Sequence, residues 1–554
     1  MDKIKPVHFI LFWLILNLVQ AWFGTLTSDE GYYWFYSTKL EWGYYDHPPF
    51  LALLIHWGYA LIENEMGVRM LGILLNGFSL FLLFRMLPKE VPNSLIYLIF
   101  LSFPLLNYIT FIVFPDTPLL AFSLWFLYGY KRLLEKNDWW SVGIIGLATA
   151  LMMYSKYHAV LLVGFTVLSN LKLFRNPRFY LAMILAFILF FPHLYWQVAN
   201  DFPSFKYHLS GRTAKLGMRY VPDYILQQIV AIGPGLIFIP FIIKTKNQFE
   251  YSLKFISIAT LSFFLLMSVR GMIHFHWTSI IIFPVIILAG IYYSNTDKKR
   301  IFRRVVLPFL VLLFLLRLHL AFKIYPSNNF NVDYYHGREL WAADIARLAE
   351  GNLVLFENNL REAPLYTFYS GNTGLTLYPG PKKKSQYEIW NYEDSLQNQD
   401  VLMVKNKPFD QSKFLMTGME KEIHYLQWPK FQSYQNIRIE LDLEETKTLG
   451  DSLDLRLKVI NHRAIPLSFE SDQFGNPVRI YCATEWNRGK EESFLELSPE
   501  QSISANSEGF GNIKVSKRFL EEEATIFFGF MDKVFEPSIN SPIYDTYQIL
   551  SSSK

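Results

Sequence analysis

Thr27-Ser28-Asp29-Glu30-Gly31-Tyr32-Tyr33-Trp34, followed by Gly43-Tyr44-Tyr45-Asp46-His47-Pro48-Pro49-Phe50, is the stretch on which the reading of this chain turns. It places a carboxylate pair and an Asp-His pair among aromatic rings, directly after an apolar run from Val7 to Gly24. Ionisable side chains are costly where a bilayer meets water, so four of them at the end of a membrane segment point to function.

Working outward, 51% hydrophobic and 17% aromatic residues over 554 positions are too apolar for an ordinary soluble enzyme. The mean hydropathy is only +0.17, so that character is uneven. It is concentrated before about Tyr325. The single cysteine, Cys482, excludes an internal disulfide framework and a thiolate metal cluster. A net charge of +4, with no arginine-rich arm or nucleic-acid motif, implies no nucleic-acid partner. Lys3 and Lys5 precede the first apolar run, and Trp22, Phe23 and Gly24 follow it in place of a small-x-small cleavage site. An uncleaved first membrane helix is expected.

Apolar segments of bilayer length fall at about 7–24, 67–87, 94–113, 117–133, 139–155, 157–173, 179–198, 225–243, 252–269, 274–294 and 304–323, or about eleven spans. The run Phe50–Ile62 is shorter and carries His56, which suits an interfacial helix. With the N-terminus inside, Lys3/Lys5, Arg85/Lys89, Lys131/Arg132/Lys136, Lys172/Arg175/Arg178, Lys244/Lys246 and Lys298–Arg304 share one face. That is the cytoplasmic bias of basic loops. The opposite face receives Asp29-Glu30, Asp46-His47, the Phe114-Pro115-Asp116-Thr117-Pro118 turn, Ser155-Lys156-Tyr157-His158, the basic loop around Arg212 and the Arg270–Trp277 junction. The expected location is a plasma (inner) membrane, multi-pass, with this face and the C-terminal region external.

Acids, histidines and cations converging from separate helix ends are what an active site requires. Moving a sugar from a lipid phosphate to a hydroxyl needs a carboxylate to take the acceptor proton and cations to hold the departing phosphate. Asp29, Glu30, Asp46, His47 and Asp116 are the candidates for the first task and for orienting it. Lys156, Arg270, His274, His276 and Arg212 are the candidates for the second, and Tyr32, Tyr33 and Tyr45 suit stacking on a pyranose. Glycine-rich and Walker nucleotide signatures and an Asp-x-Asp metal motif are missing, so no cofactor and no metal is expected.

Past Tyr325, Asp344–Leu348 and Ala363–Tyr369 read as helices and Leu353–Phe356 as a strand. From Asn436 the alternations Ile-Arg-Ile-Glu-Leu-Asp-Leu and Leu-Asp-Leu-Arg-Leu-Lys-Val-Ile read as amphipathic strands, joined by Val478–Tyr481 and Thr525–Phe530. The expected organisation is a membrane domain over 1–324 with an external loop at 25–66, an α/β region over 325–430 and a β-sandwich-like region over 431–554.

The motifs at 28–34 and 43–49, with Phe114–Pro118 and Ser155–Tyr157 following at plausible intervals, resemble the protein-mannosyltransferase and aminoarabinose-transferase superfamily of membrane glycosyltransferases. The resemblance covers roughly the first 325 residues. It implies a mainly α, polytopic GT-C fold and metal-independent, inverting transfer from a polyprenyl-phosphate sugar to a glycan, lipid or protein hydroxyl. By that analogy Asp29 is the base, Asp46 and Asp116 orient the acceptor or the base, and Lys156 with Arg270 binds donor phosphate. Asp46-His47 stands where aminoarabinose transferases tend to carry an acidic-Lys pair, and the chain beyond Asn436 departs from the usual family ending. Two rival readings are a lipid-linked sugar transporter, which favours polar residues at mid-bilayer, and a membrane-anchored polymer-binding protein.

Overall fold

The computed structural model describes residues 4–210, 217–233, 235–322, 324, 336–377, 385–469, 477–483, 493–497, 502–522, 525–531 and 540–552. The chain divides into two compact units, Met1–His336 and Gly337–Lys554.

The first unit is helical. Its elements are α1 (Pro6–Phe23), α2 (Ser28–Ser37), α3 (Phe50–Leu61), α4 (Glu65–Met86), α5 (Asn93–Leu101), α6 (Pro104–Ile109), α7 (Asp116–Glu135) and α8 (Trp139–Ser155). They continue with α9 (Ala159–Ser169), α10 (Pro177–Ala199), α11 (Pro203–Ser210), α12 (Val221–Ile232), α13 (Ile239–Ile242), α14 (Gln248–Ser268), α15 (Ile282–Ser294) and α16 (Lys299–Phe322).

Six helical stretches among the described residues are long and apolar enough to cross a bilayer: α1, α4, α10, α14, Phe275–Ser294 and α16. Against the expectation of about eleven spans stand these six long helices and several shorter apolar ones, because hydropathy runs on where the backbone breaks. The run 94–113 is split between α5 and α6 at Phe103-Pro104, where proline opens a new helix. The run 225–243 stops at Gly233, whose φ of 94° caps α12, before the short α13. Lys156 is extended and separates α8 from α9. Phe50–Leu61 is a helix, as expected.

The second unit begins with α17 (Arg338–Ala349), β1 (Leu353–Glu357), α18 (Glu362–Ser370) and β2 (Gly374–Leu377), followed by β3 (Gln399–Lys405), β4 (Lys413–Met416) and β5 (Glu422–Phe431). They form a five-stranded sheet in the order β2-β1-β3-β5-β4, parallel among β1, β2 and β3. Then come β6 (Arg438–Leu449), β7 (Ser452–Asn461), β8 (Val478–Ala483), β9 (Ser493–Leu497), β10 (Ser507–Ser516), β11 (Thr525–Met531) and β12 (Tyr544–Asp545). A three-stranded sheet, β10-β7-β6, and a four-stranded one, β12-β11-β8-β9, bury one common core of Leu453, Leu455, Leu457, Ile480, Ile526 and Phe528 among others. The period-two alternation in β7, buried at every second residue, is what the pleat demands of a strand with one covered face. The α/β and β-rich portions lie inside a single unit that begins at Gly337.

Candidate active site

Asp29 and Glu30 sit in the first turn of α2, whose N-cap is a capping box. The Thr27 hydroxyl accepts the Glu30 N–H at 3.2 Å, and Glu30 Oε2 accepts the Thr27 N–H at 2.9 Å. Glu30 is fully buried. Arg69 grips it with two nitrogens, Nε at 2.6 Å and Nη2 at 2.7 Å, and the Val113 N–H donates to the same carboxylate at 3.0 Å. Arg69 spends its remaining donors on the carbonyls of Ala21, Gly24 and Thr25. Glu30 therefore joins α1, α2, α4 and the segment leading to Asp116, with its carboxylate directed into protein. Asp29, its neighbour, is half-buried on the first turn.

Asp116 opens α7 and is 1% exposed. Lys156 Nζ donates to its Oδ2 at 2.7 Å, Ser279 Oγ donates to Oδ1 at 2.6 Å, and His276 Nε2 lies 4.0 Å from Oδ2. The turn before it is pinned through Thr117, whose hydroxyl accepts the Phe114 N–H and donates to the Ile109 carbonyl. His276 stacks on Phe114 at 6.0 Å and against His274 at 5.7 Å. His274 and Arg270 are exposed. Asp116, Lys156, His276 and His274, 160 positions apart at the extremes, therefore form one group. Arg212 lies outside the described residues.

Asp46 and His47 occupy the loop between α2 and α3. Tyr36 donates to Asp46 Oδ1 at 2.5 Å, and His47 Nδ1 is 2.9 Å from the same oxygen. Burial alone pushes the Asp46 carboxyl up, but the charge and hydrogen bond of His47, the Tyr36 hydroxyl and His208 outweigh it, and the group is held below its ordinary value. Such a carboxylate stays ionised and is a weak base. His208 on α11 reaches the Asp46 carbonyl at 3.0 Å and faces His47 at 6.4 Å and Tyr157 at 5.5 Å. His47 and His276 interact electrostatically, which connects this loop to the Asp116 group.

Of the stacking candidates, Tyr32 and Tyr33 are buried and pack on Tyr36, while Tyr45 is partly exposed and contacts Tyr207. The first two rings serve the packing of α2 in this structure. The residues that sequence reasoning missed are Arg69, Ser279, Tyr36 and His208. Each lies far along the chain from its partner or inside an unremarked polar position, and none belongs to a motif.

Near this group lies a cavity of about 450 Å³, almost wholly apolar, lined by Tyr108, Phe111, Val230, Phe275, Leu313 and Arg317 among others. Phe275 precedes His276 in the chain, and Tyr108 stacks on Phe114 at 5.8 Å. Arg317, a charge inside α16, is 6% exposed; it lies between the rings of Trp13 and Phe111 and donates to Asn17 and Asn107.

A family model described as dolichyl-phosphate-mannose-protein mannosyltransferase matches residues 46–196. That stretch contains Asp46, Asp116 and Lys156 and leaves Asp29 and Glu30 just outside. Over 203 residues the chain is 26% identical to the lipopolysaccharide core galacturonosyltransferase RgtA of Rhizobium johnstonii. The match covers 34% of this chain and 40% of that protein, so it spans well under half of the relative. In structure the chain is similar to ArnT from Cupriavidus metallidurans in the apo state, with a TM-score of 0.55 and 15% identity over 76% of this chain and 97% of that one. ArnT bound to undecaprenyl phosphate gives the same values. The chain thus shares the fold of these ArnT structures, and its residues 46–196 are similar to the mannosyltransferase family.

Proposed function

We propose that this protein is an integral membrane glycosyltransferase that moves a sugar from a polyprenyl-phosphate donor to a hydroxyl of a glycan, lipid or protein acceptor. The reading rests above all on the buried Asp116–Lys156 pair at 2.7 Å with His276 beside it. An intramembrane ionisable group is kept for a task, and here several meet at one end of the helices.

The acceptor O–H proton passes to Asp29. The oxygen attacks the anomeric carbon as the bond from that carbon to the phosphate oxygen breaks, and its electron pair leaves on the polyprenyl phosphate, with inversion. Asp29 suits the base because it alone of the paired acids at 29–30 is partly exposed, whereas Glu30 is spent on Arg69. Asp46, held ionised by His47 and Tyr36, orients the acceptor side and stabilises positive charge developing on the sugar ring. Lys156, His276, His274 and Arg270 face the phosphate, with Asp116 and Ser279 fixing Lys156 and its surroundings. The apolar cavity reaching Phe275 has the lining a prenyl chain needs beside such a headgroup. We place this site on the external face of the inner membrane, on the charge pattern of the loops.

Mass spectrometry of lipid-linked sugars and envelope glycans, from cells with and without the gene, tests the reading. A polyprenyl-phosphate monosaccharide that accumulates on deletion, while one glycan loses a residue, is expected. Two unchanged pools would overturn it.

A further inference from the structure

The loop carrying Asp46 and His47 is held from outside by side chains of α10 and α11 that belong to none of the motifs. His193 is fully buried in α10. Its Nδ1 lies 2.6 Å from the Trp42 carbonyl, and its Nε2 lies 2.8 Å from the Tyr157 hydroxyl. A carbonyl only accepts, so Nδ1 carries the hydrogen, and in the neutral ring Nε2 accepts from Tyr157 O–H. Gln197, one turn along the same helix, fixes the direction of this chain. Its Nε2 donates to the Tyr157 oxygen at 3.2 Å and to Ser204 Oγ at 2.8 Å, and Ser204 in turn donates to the Tyr44 carbonyl at 2.7 Å. From one amide, two donor chains therefore end on the carbonyls of Trp42 and Tyr44, the two neighbours of Gly43.

Gly43 itself lies against Trp196, where an added Cβ would come within 2.4 Å of the ring, and the same indole N–H donates to Glu41 at 2.9 Å. One turn of α10 thus grips Glu41, Trp42, Gly43 and, through Ser204, Tyr44. The other end of the His193 bridge is Tyr157, the residue after Lys156. The His193 imidazole thus ties the two halves of the site, Asp46-His47 and Asp116-Lys156, beside the parallel links through Gln197–Ser204 and His208.

We propose that His193, oriented by Gln197, is a positioning residue for the transfer reaction. Resting on the transferase reading above, it fixes the distance between the acceptor-side acid and the phosphate-side lysine without touching either substrate. A misplacement of about 1 Å in such a geometry costs on the order of a hundredfold in rate.

The test uses the full-length protein in detergent or vesicles, with hydrogen exchange over residues 41–47 and 154–158 measured beside kcat and donor KM. In His193→Phe both bonds are lost and the ring is kept. Exchange should rise in both segments, kcat should fall about tenfold or more, and donor KM should stay within about threefold. His193→Asn keeps a donor near Nδ1 and should recover most of kcat. Tyr157→Phe combined with His193→Phe should cost clearly less than the product of the two single losses, since both cut the His193–Tyr157 bond, the remainder being the Gln197–Tyr157 bond that only Tyr157→Phe removes. Unchanged exchange in a folded His193→Phe protein, an unchanged kcat, or losses that multiply in the double variant would overturn the proposal. If the wild-type protein transfers no sugar from any polyprenyl-phosphate donor while exchange still rises in His193→Phe, the transferase reading has failed and the clamp is architectural.

Discussion

Two buried acid–base pairs lie near the same ends of the helices, Glu30–Arg69 and Asp116–Lys156, and they differ in what surrounds them. Around Glu30 the partners are two nitrogens of one guanidinium and two backbone N–H groups, and Arg69 is finished off by three carbonyls. Each of these contacts is to the scaffold. Around Asp116 the partners are side chains that can titrate, move or bind, namely Lys156, Ser279 and His276, and His276 stacks on the exposed His274. Glu30 is thus held by one backbone-anchored guanidinium and by backbone N–H groups, whereas Asp116 is held by side chains grouped beside an exposed histidine, the clustering of perturbed groups that marks candidate functional sites. Burial alone does not separate them, since Glu30 and Asp116 are 0% and 1% exposed.

The largest expected effect breaks that comparison on its structural side. Glu30→Gln leaves Arg69 buried without its charge partner, which costs about 3–5 kcal/mol. Thermal unfolding in detergent should show a collapse of the folded fraction, and full stability with lost activity would move Glu30 into the chemistry instead. Next in size, Lys156→Met should weaken binding of a polyprenyl phosphate by about tenfold to a hundredfold, as loss of one hydrogen bond to a charged group, worth about 1.5–3 kcal/mol, does. Its cost in stability should be smaller than that of Glu30→Gln, because Ser279 and His276 remain on Asp116. Binding is measured without turnover, by competition with a labelled lipid phosphate.

Gly43→Ala, which drives a methyl group into Trp196, should cost about 1–3 kcal/mol by overpacking and lower kcat with little change in donor affinity. The smallest effect is a pH dependence. Asp46 is held below its ordinary value, so its pairing with His47 and Tyr36 stabilises the protein above the usual carboxylate range, near 3.9, and is lost as pH falls through the lowered value. The stability advantage of the wild type over Asp46→Asn should therefore shrink below about pH 4 in an unfolding series.

Much of this was legible in the sequence, and the rest was not, for identifiable reasons. The Asp29-Glu30, Asp46-His47, Asp116 and Lys156 positions announce themselves as charges at the ends of apolar runs. The strands β6, β7, β8 and β11 declare their period of two. Hidden from the sequence was the difference between the half-buried Asp29 and the fully buried Glu30, because it depends on Arg69, 39 positions away. The helix ends inside the apolar runs were hidden because hydropathy averages over Pro104 and Gly233, where the backbone breaks. His193 and Gln197 carried one faint signal, two polar residues four apart on a single face of an apolar helix. Nothing in that spacing names Trp42 or Tyr157 as partners.

The measurement that bears most directly on the account is single-turnover transfer by purified protein in vesicles, wild type against Asp29→Asn, with a defined polyprenyl-phosphate sugar and an acceptor pool from the envelope. The account predicts transfer by the wild type, and a loss of about 10²–10⁴-fold in Asp29→Asn at unchanged melting midpoint and unchanged lipid-phosphate binding. An Asp29→Asn protein that turns over at the wild-type rate would contradict it.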